Sequence, residues 1–137
     1  MINSEFIGRY RGRKVEFRIW DKKNNLIAYG DGIFFKITNE GVLKLDTLSK
    51  DTKWILINKE EYELMQYTGK KDINGLKIYE GDIVKYYSLL DGDYRTDVVR
   101  FEHGSFIVGE CYLYDKKVEV IGNITGAKTL NTGFGGK

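Results

Sequence analysis

The stretch MQYTGKKDINGLKIYEGDIVKY, Met65 to Tyr86, determines the fold. Its tetrapeptide Asp72-Ile-Asn-Gly75 has Asp first and Gly fourth, which is the residue preference of a type I β-turn. A second sharp bend is indicated at Glu80-Gly81-Asp82, where a glycine separates two acids just before an apolar run. We therefore interpret this stretch as tightly turned β-sheet. Its turn-forming residues are Gly69, Asp72, Asn74, Gly75, Gly81 and Asp82.

Alternation with a period of two recurs along the rest of the chain, while no long segment has the helical period of 3.6. Turn signals separate the alternating runs every eight to twelve residues or so, which is typical of an all-β sandwich or small barrel. The segment 58–66 is ambiguous, because Asn58 followed by Glu61 resembles a helical capping box. We favour a tight connection into a strand. Strands are predicted at 14–20, 26–29, 33–37, 42–45, 53–57, 76–79, 83–89, 94–101, 105–108 and 118–124.

The predicted chain is all-β with little helix and has four consecutive parts. A basic N-terminal arm precedes an N-terminal β-meander packed with a small SH3-like β-barrel, and a glycine-rich flexible tail follows. The Gly-Asp entry into the strand after Glu80 supports the barrel by analogy with other such barrels. The bounds of the four parts are 1–13, 14–57, 62–124 and 125–137.

The net charge of +2 over 137 residues is too small to indicate nucleic-acid binding by itself. The first 23 residues nevertheless hold seven basic residues against three acids. A solvated, charge-protected arm is the ordinary interpretation. If the arm contacts phosphates, we expect only weak, sequence-indifferent binding. The residues concerned are Arg9, Arg11, Arg13 and Lys14.

The single cysteine, Cys111, cannot form an internal disulfide, which favours a reducing compartment. The longest apolar runs are far too short to cross a membrane, and the N-terminus lacks an apolar signal core. The sequence therefore predicts a protein of the cytoplasm without a membrane partner.

Little in the sequence indicates catalysis or a metal. One histidine, His103, and one cysteine cannot supply a zinc site within the chain, and no cofactor is predicted. Glu80 and Asp82 could form an acid–base pair, although turn formation around Gly81 is the better interpretation. We predict no catalytic residues and no enzyme activity.

One part of the opening stretch is not explained by its turns. Tyrosines and lysines cluster around one bend, where rings and cations can contact a partner at little entropic cost. We expect this region to form part of a partner or subunit interface. The predicted contact residues are Tyr67, Lys70, Lys71 and Tyr79, joined by Arg18 and Trp20 on the polar face of the first long strand.

Three blocks of the sequence resemble the YopX family of small phage and prophage proteins. They are EFRIWD at 16–21, the stretch from Leu64 to Val84, and EVIGNI at 119–124. Lys70 departs from the family's usual leucine, and the tail after Ile124 departs from its common acidic ending. The resemblance implies a β-rich, phage-encoded protein of the host cytoplasm that is often oligomeric and has no established enzyme activity.

Three functions remain open at this point. The first is a non-enzymatic accessory protein that binds a host or phage macromolecule. Its expected partner is a host or phage protein, and the chain itself is expected to form a homo-oligomer. The second is a counter-defence protein that sequesters a nucleotide or signalling molecule, or inhibits a host defence protein. The third is a hydrolase that uses carboxylates.

Overall fold

The structure, a computed structural model, describes residues 9–10, 13–29, 35–46, 53–126 and 128–129. Within those ranges the chain is built from β-strands and two short 3-10 turns, so the prediction of an all-β fold is confirmed. None of the described segments forms a helix long and apolar enough to cross a membrane. The 3-10 turns are Lys59–Glu61 and Leu113–Asp115.

Most of the predicted strands are present, with bounds shifted by a residue or two. They are β1 (Arg9–Tyr10), β2 (Arg13–Lys14), β3 (Phe17–Asp21), β4 (Leu26–Tyr29), β5 (Phe35–Thr38), β6 (Gly41–Asp46), β7 (Lys53–Leu56), β8 (Tyr62–Lys71), β9 (Lys77–Tyr79), β10 (Asp82–Ser88), β11 (Asp93–Val98), β12 (Arg100–Glu102), β13 (Ser105–Val108), β14 (Cys111–Tyr112), β15 (Val118–Asn123) and β16 (Lys128–Thr129).

The chain divides into two compact units. Unit 1 contains residues 1–15 and 66–126, and unit 2 contains residues 16–65 and 127–137. The boundary between the two units therefore lies inside β8, between residues 65 and 66. The predicted boundary between the meander and the barrel lies between residues 57 and 62. Of the predicted arm, only β1 and the first residue of β2 are described, and of the predicted tail only 125–126 and β16.

Unit 2 is a meander of antiparallel pairs with its own apolar core. β3 pairs with β4, β16 lies parallel to β4, and β5, β6 and β7 form a separate three-stranded sheet. Ile19, Ala28, Phe35 and Val42 are buried together at its centre. Partly buried Ile37, Ile57 and Tyr62 pack against this cluster.

Unit 1 has the larger core. β10 lies between β11 and β15, and β12, β13 and β14 form a second antiparallel sheet. Alternate residues of β10 face inward, so that Val84 and Tyr86 are buried while Lys85 and Tyr87 are exposed. The buried cluster is completed by Ile78, Val99, Val108, Leu113 and Val118. Closure of these sheets into an SH3-like barrel stays a prediction.

The ambiguous segment 58–66 is a 3-10 turn followed by strand. The Asn58 side chain accepts a hydrogen bond from the Glu60 N–H at 3.1 Å, which caps the turn Lys59–Glu61. β8 then begins at Tyr62. The cap indicated by Asn58 in the sequence is therefore present. The alternating residues after Glu61 form a strand, so the turn does not extend into an α-helix.

Candidate functional site

The turn at Asp72 is held together by one buried carboxylate. One Asp72 oxygen accepts the N–H groups of Asn74 at 2.8 Å and Leu76 at 2.9 Å, and the other accepts Val120 N–H at 2.9 Å. Gly75 N–H donates to the Asp72 carbonyl at 3.0 Å, as a type I turn requires. The same residue thus forms the turn and ties it to β15.

The acids that flank Gly81 are also bound to main-chain groups. Buried Asp82 accepts the Tyr79 N–H at 2.8 Å, and the Glu80 carboxylate accepts the Gln66 N–H at 2.9 Å. Gly69, Gly75 and Gly81 all have φ of 85°, a conformation that favours glycine. These contacts give Glu80 and Asp82 a structural role in this bend.

The two tyrosines expected to meet a partner lie in the core instead. Tyr67 and Tyr79 are each 6% exposed, face each other across β8 and β9, and have ring centroids 5.6 Å apart. The sequence predicts them at an interface because they cluster with lysines around one bend. Their strand register turns both rings inward, where burial of an aromatic side chain stabilises the fold.

Lys70 and Lys71 have different environments. The Lys70 ammonium donates to the carbonyls of Leu113 at 2.9 Å and Tyr114 at 3.4 Å, and also to that of Lys116. An ammonium has three donors, so these contacts use all of them. Burial lowers the pKa of Lys70, and the Asp115 carboxylate opposes that shift. Lys71, the next residue, is exposed.

Arg18 and Trp20 do not form the exposed polar face that the alternation predicted. Arg18 is only 2% exposed, and it contacts the Met65 sulfur at 3.3 Å and the Tyr29 hydroxyl at 3.1 Å. Trp20 is half-buried and donates its indole N–H to the Asn25 side chain at 3.1 Å. Two buried neighbours in β3, Arg18 and Ile19, break the expected alternation because the Arg18 charge finds partners beneath the surface.

The basic arm is described only as main chain. Arg9 pairs with Lys14, and Tyr10 with Arg13, in the short antiparallel ladder of β1 and β2. The side chains of Arg9, Arg13 and Lys14, and all of Arg11, lie outside the described part of the structure. Phosphate contact by these residues stays a prediction.

A groove of about 430 Å³ lies in unit 1 and was not predicted. It is lined by residues 66–70 of β8, with Val15 beside them, and by two further groups of residues. These are Phe101, Gly104, Ser105 and Phe106 of the β12–β13 hairpin, and Leu113 and Tyr114. Its volume falls in the range of about 300–1,000 Å³ that is usual for binding sites. We call it the β8 groove.

Aromatic rings flank the β8 groove. Phe101, half exposed, packs edge-on against Phe106 with centroids 5.0 Å apart. Tyr114 is 75% exposed and stacks on Tyr112 at 5.7 Å. Exposed rings next to a concave surface are typical of sites that bind an apolar or flat group.

The polar character of the β8 groove comes from neutral groups. Among the described residues that line it, Lys70 alone carries a charge, and its ammonium is occupied by main-chain carbonyls. Within the described ranges, the Gln66 amide side chain and the Ser105 hydroxyl form no hydrogen bond in the structure. The groove therefore offers apolar surface and neutral hydrogen-bonding groups.

A second surface missed from the sequence is the tip of the β10–β11 hairpin. Leu89 and Leu90 are 83% and 93% exposed there. The tip is ordered by Gly92 N–H donating to the Ser88 carbonyl at 2.9 Å and by an ion pair between Arg95 and Asp91. The sequence does contain a signal for this surface, because two leucines directly precede the turn residues Asp91-Gly92. The predicted strand 83–89 includes Leu89, whereas β10 ends at Ser88.

The described residues contain no group of three or more His, Cys, Asp or Glu side chains arranged to hold a metal ion. His103 lies in the turn between β12 and β13 with φ of 52°, and the half-buried thiol of Cys111 begins β14. Neither residue lines the β8 groove.

Two solved structures have a similar fold. They are protein EF1440 from Enterococcus faecalis and protein yopX from Bacillus subtilis, each 23% identical to this chain with a TM-score of 0.52. The similarity to EF1440 covers 82% of this chain and 94% of EF1440. The similarity to yopX covers 80% of this chain and 92% of yopX. At this identity the likeness shows the fold alone. No curated protein matches the chain.

The sequence match agrees with that fold. The family model described as YopX protein matches residues 16–127, which includes β3 through β15 and both units. The three sequence blocks that resembled the family lie inside this range, and the central one forms β8, the Asp72 turn, β9 and the start of β10. The chain is a member of the YopX family.

Proposed function

We propose that this protein is a non-enzymatic binding protein that takes a short, uncharged segment of a protein partner into the β8 groove. The observation that carries the proposal is the chemistry of that groove. Two of its rings, Phe101 and Tyr114, are exposed, its one lining charge is occupied by main-chain carbonyls, and its available polar side chains are neutral. Such a surface suits an apolar segment with free main-chain carbonyls and discriminates against charged ones.

The partner segment is an extended one. Gln66 and Ser105 both line the groove, the first from β8 and the second from the β12–β13 hairpin. An amide and a hydroxyl can both donate to peptide carbonyls. An extended peptide without internal hydrogen bonds presents such carbonyls at regular intervals. Tyr114 and Phe101 then contact its side chains, as aromatic residues do in other peptide-binding grooves.

Family membership and composition support a cellular setting for this function. We place the protein in the cytoplasm of a bacterium that carries a phage or prophage, where the partner is a host or phage protein. One cysteine and the YopX sequence blocks support this setting. The groove chemistry does not favour sequestration of a nucleotide, because phosphates are bound by free cations or clustered N–H groups.

No covalent step is part of the proposal. The two acids closest to a catalytic pair in the sequence, Glu80 and Asp82, accept main-chain N–H groups, and Asp82 is buried. A general acid or base must reach the group whose proton it transfers. The positions of these acids support a structural role.

The test is a selection of peptides on the immobilised protein from a random nine-residue library. Enriched peptides are expected to lack Asp, Glu, Lys and Arg at their central positions. Their affinity, measured by fluorescence polarisation, should fall at least about tenfold in Tyr114→Ala, a loss of about 1.4 kcal/mol. The double variant Gln66→Ala/Ser105→Ala should lose a similar amount.

Tyr94→Ala is the matched control, because Tyr94 is an exposed ring of the same unit that does not line the groove. It should bind the same peptides as the unmodified protein. Enrichment of strongly acidic or basic peptides, or equal binding by Tyr114→Ala, would show that the groove is not the site.

A further inference from the structure

Several main-chain acceptors of the residues that line the β8 groove are already bonded. The Gln66 carbonyl accepts a main-chain N–H at 2.9 Å. The Leu113 carbonyl accepts a main-chain N–H at 3.0 Å and the Lys70 ammonium at 2.9 Å, so both of its lone pairs are used. The Tyr114 carbonyl accepts the same ammonium at 3.4 Å. An N–H group of a ligand would have to compete for these carbonyls, and a buried donor without an acceptor costs free energy.

Hydrogen-bond donors of the groove are available. Within the described ranges, the side chains of Gln66 and Ser105 form no hydrogen bond in the structure. The amide of Gln66 carries two donors and the hydroxyl of Ser105 carries one. The groove can therefore satisfy the carbonyls of a ligand more fully than its N–H groups.

The main chain of β8 is poorly suited to pair with an added strand along the groove. The Gln66 N–H is bonded to the Glu80 carboxylate at 2.9 Å, and the Lys70 N–H is bonded to the Thr68 hydroxyl at 3.2 Å. Gly69, between them, has φ of 85°, which interrupts the extended backbone. Strand addition requires a row of free N–H and C=O groups on an open edge. A ligand seated against β8 is therefore bound by side chains.

We propose that the segment bound in the β8 groove is proline-rich and adopts the polyproline II conformation. Proline has no main-chain N–H, so such a segment brings carbonyls to the free donors and few N–H groups that need acceptors. Its rings suit the exposed faces of Phe101 and Tyr114, and its fixed φ reduces the entropy lost on binding. The inference rests on the proposed function of the groove and names the class of peptide that the groove takes.

The segment comes from a different protein. This chain contains no proline, so no part of it can supply the segment. The residues between the prolines are uncharged, because Lys70 is the only charged residue among the described lining residues and its ammonium is engaged by carbonyls. The partner is therefore a host or phage protein with an uncharged proline-rich stretch.

Three nine-residue peptides, acetylated and amidated so that their ends carry no charge, test the inference. The first is PPLPPLPPL. The second, AALAALAAL, restores the main-chain N–H at each proline position, and the third has N-methylalanine there, which again lacks the N–H but has no ring. Isothermal titration calorimetry should show AALAALAAL binding at least about tenfold more weakly than PPLPPLPPL. The N-methylalanine peptide should bind only about threefold more weakly than PPLPPLPPL.

Variants of the protein locate the bound peptide. Tyr114→Ala should bind PPLPPLPPL at least about tenfold more weakly than the unmodified protein. The Tyr114 ring is 75% exposed, so its removal leaves the core intact. Gln66→Ala/Ser105→Ala should also bind the peptide at least about tenfold more weakly. Tyr94→Ala, with an exposed ring outside the groove, should bind it like the unmodified protein.

The inference is overturned if AALAALAAL binds as tightly as PPLPPLPPL, or if N-methylation gives no gain over alanine. The proposed function would survive that result if Tyr114→Ala weakens binding of AALAALAAL, because the groove would still take an uncharged peptide. Binding of PPLPPLPPL that is unchanged in Tyr114→Ala would overturn both. Absence of binding by all three peptides up to about 1 mM would overturn this inference, and the random-library selection would then decide the proposed function.

Discussion

The ammonium of Lys70 lies 2.9 Å from the carbonyl oxygen of Leu113, 43 residues further along the chain. The same ammonium bonds to the carbonyls of Tyr114 and Lys116, so one side chain from β8 binds the whole 3-10 turn that forms one end of the groove. A positive charge beside the carbonyls at the C-terminal end of a turn is favourable. Lys70 thereby fixes the position of Tyr114.

Lys70→Met should therefore destabilise the protein and loosen that turn. Loss of hydrogen bonds from a charged donor is expected to cost about 2 kcal/mol, measured by urea denaturation. Amide exchange at residues 113–117 should become faster. Lys71→Met is the control, because Lys71 is the exposed neighbour in the same strand. Equal stability of the two variants would contradict this role of Lys70.

Asp72→Ala should be among the most damaging single changes in unit 1. It leaves the N–H groups of Asn74, Leu76 and Val120 without their acceptor, for an expected loss of about 3 kcal/mol in the free energy of unfolding. Glu40→Ala removes an exposed carboxylate in the turn between β5 and β6 and should change stability by no more than about 0.5 kcal/mol. A small effect at Asp72 would show that water replaces the carboxylate.

Alanine substitutions at Gly109 and Gly75 distinguish the cost of a steric clash from the cost of backbone strain. Both have positive φ, 61° and 85°, but a methyl group at Gly75 would meet open space while one at Gly109 would strike the Tyr86 hydroxyl. Gly75→Ala should cost about 1 kcal/mol and Gly109→Ala about 3 kcal/mol. Adding Tyr86→Phe to Gly109→Ala should restore part of the difference, because the next ring atom lies at 3.4 Å. No rescue in this double variant would contradict the steric explanation.

Asp21 should make unit 2 sensitive to acid. Its burial raises the pKa of its carboxyl, but hydrogen bonds from Asn24 and Lys44 outweigh that effect and hold the pKa below 3.8. The unfolded chain thus takes up the proton first as the pH falls. The stabilisation is present above about pH 4 and is lost as the pH falls through the lower folded-state pKa.

Asp21→Asn tests this prediction. At about pH 6 the variant should be less stable than the unmodified protein by about 1 kcal/mol, and at about pH 2.5 the difference should be smaller. Denaturation curves at the two pH values measure it. A difference that stays constant with pH would show that the Asp21 charge contributes nothing.

The open edge of β11 is protected by its own side chains. The carboxylates of Asp93 and Asp97 accept the N–H groups of Tyr94 and Val98, each at 2.7 Å, and no described strand pairs with that edge. Asp93→Ala/Asp97→Ala should free these donors and promote strand-to-strand association, seen as time-dependent light scattering. Asp91→Ala, which leaves both N–H groups capped, is the control. Absence of scattering in the double variant would contradict the protective role.

Features that depend on neighbouring residues could be predicted from the sequence. The Asp72 turn, the cap at Asn58 and most strand bounds follow from residue type and alternation, because their contacts lie within a few positions. The strand β13 at Ser105–Val108 was predicted with its observed bounds.

Features that depend on distant contacts could not be predicted. Arg18 is buried because Met65, 47 residues away, accepts its N–H, and Lys70 is engaged by carbonyls more than 40 residues away. The β8 groove joins four separate segments whose meeting depends on register between strands. For the same reason Tyr67 and Tyr79 look like surface residues in sequence and are core residues in the fold.

The bond between Asp72 and Val120 spans 48 residues and has a consequence for the rate of folding. A contact of this separation requires closure of a long loop before the carboxylate gains its third donor, and proteins rich in such contacts fold in about milliseconds to seconds. The chain contains no proline, so peptide-bond isomerisation adds no slower phase. We expect refolding to be slow for a chain of this size, with no additional phase from proline isomerisation.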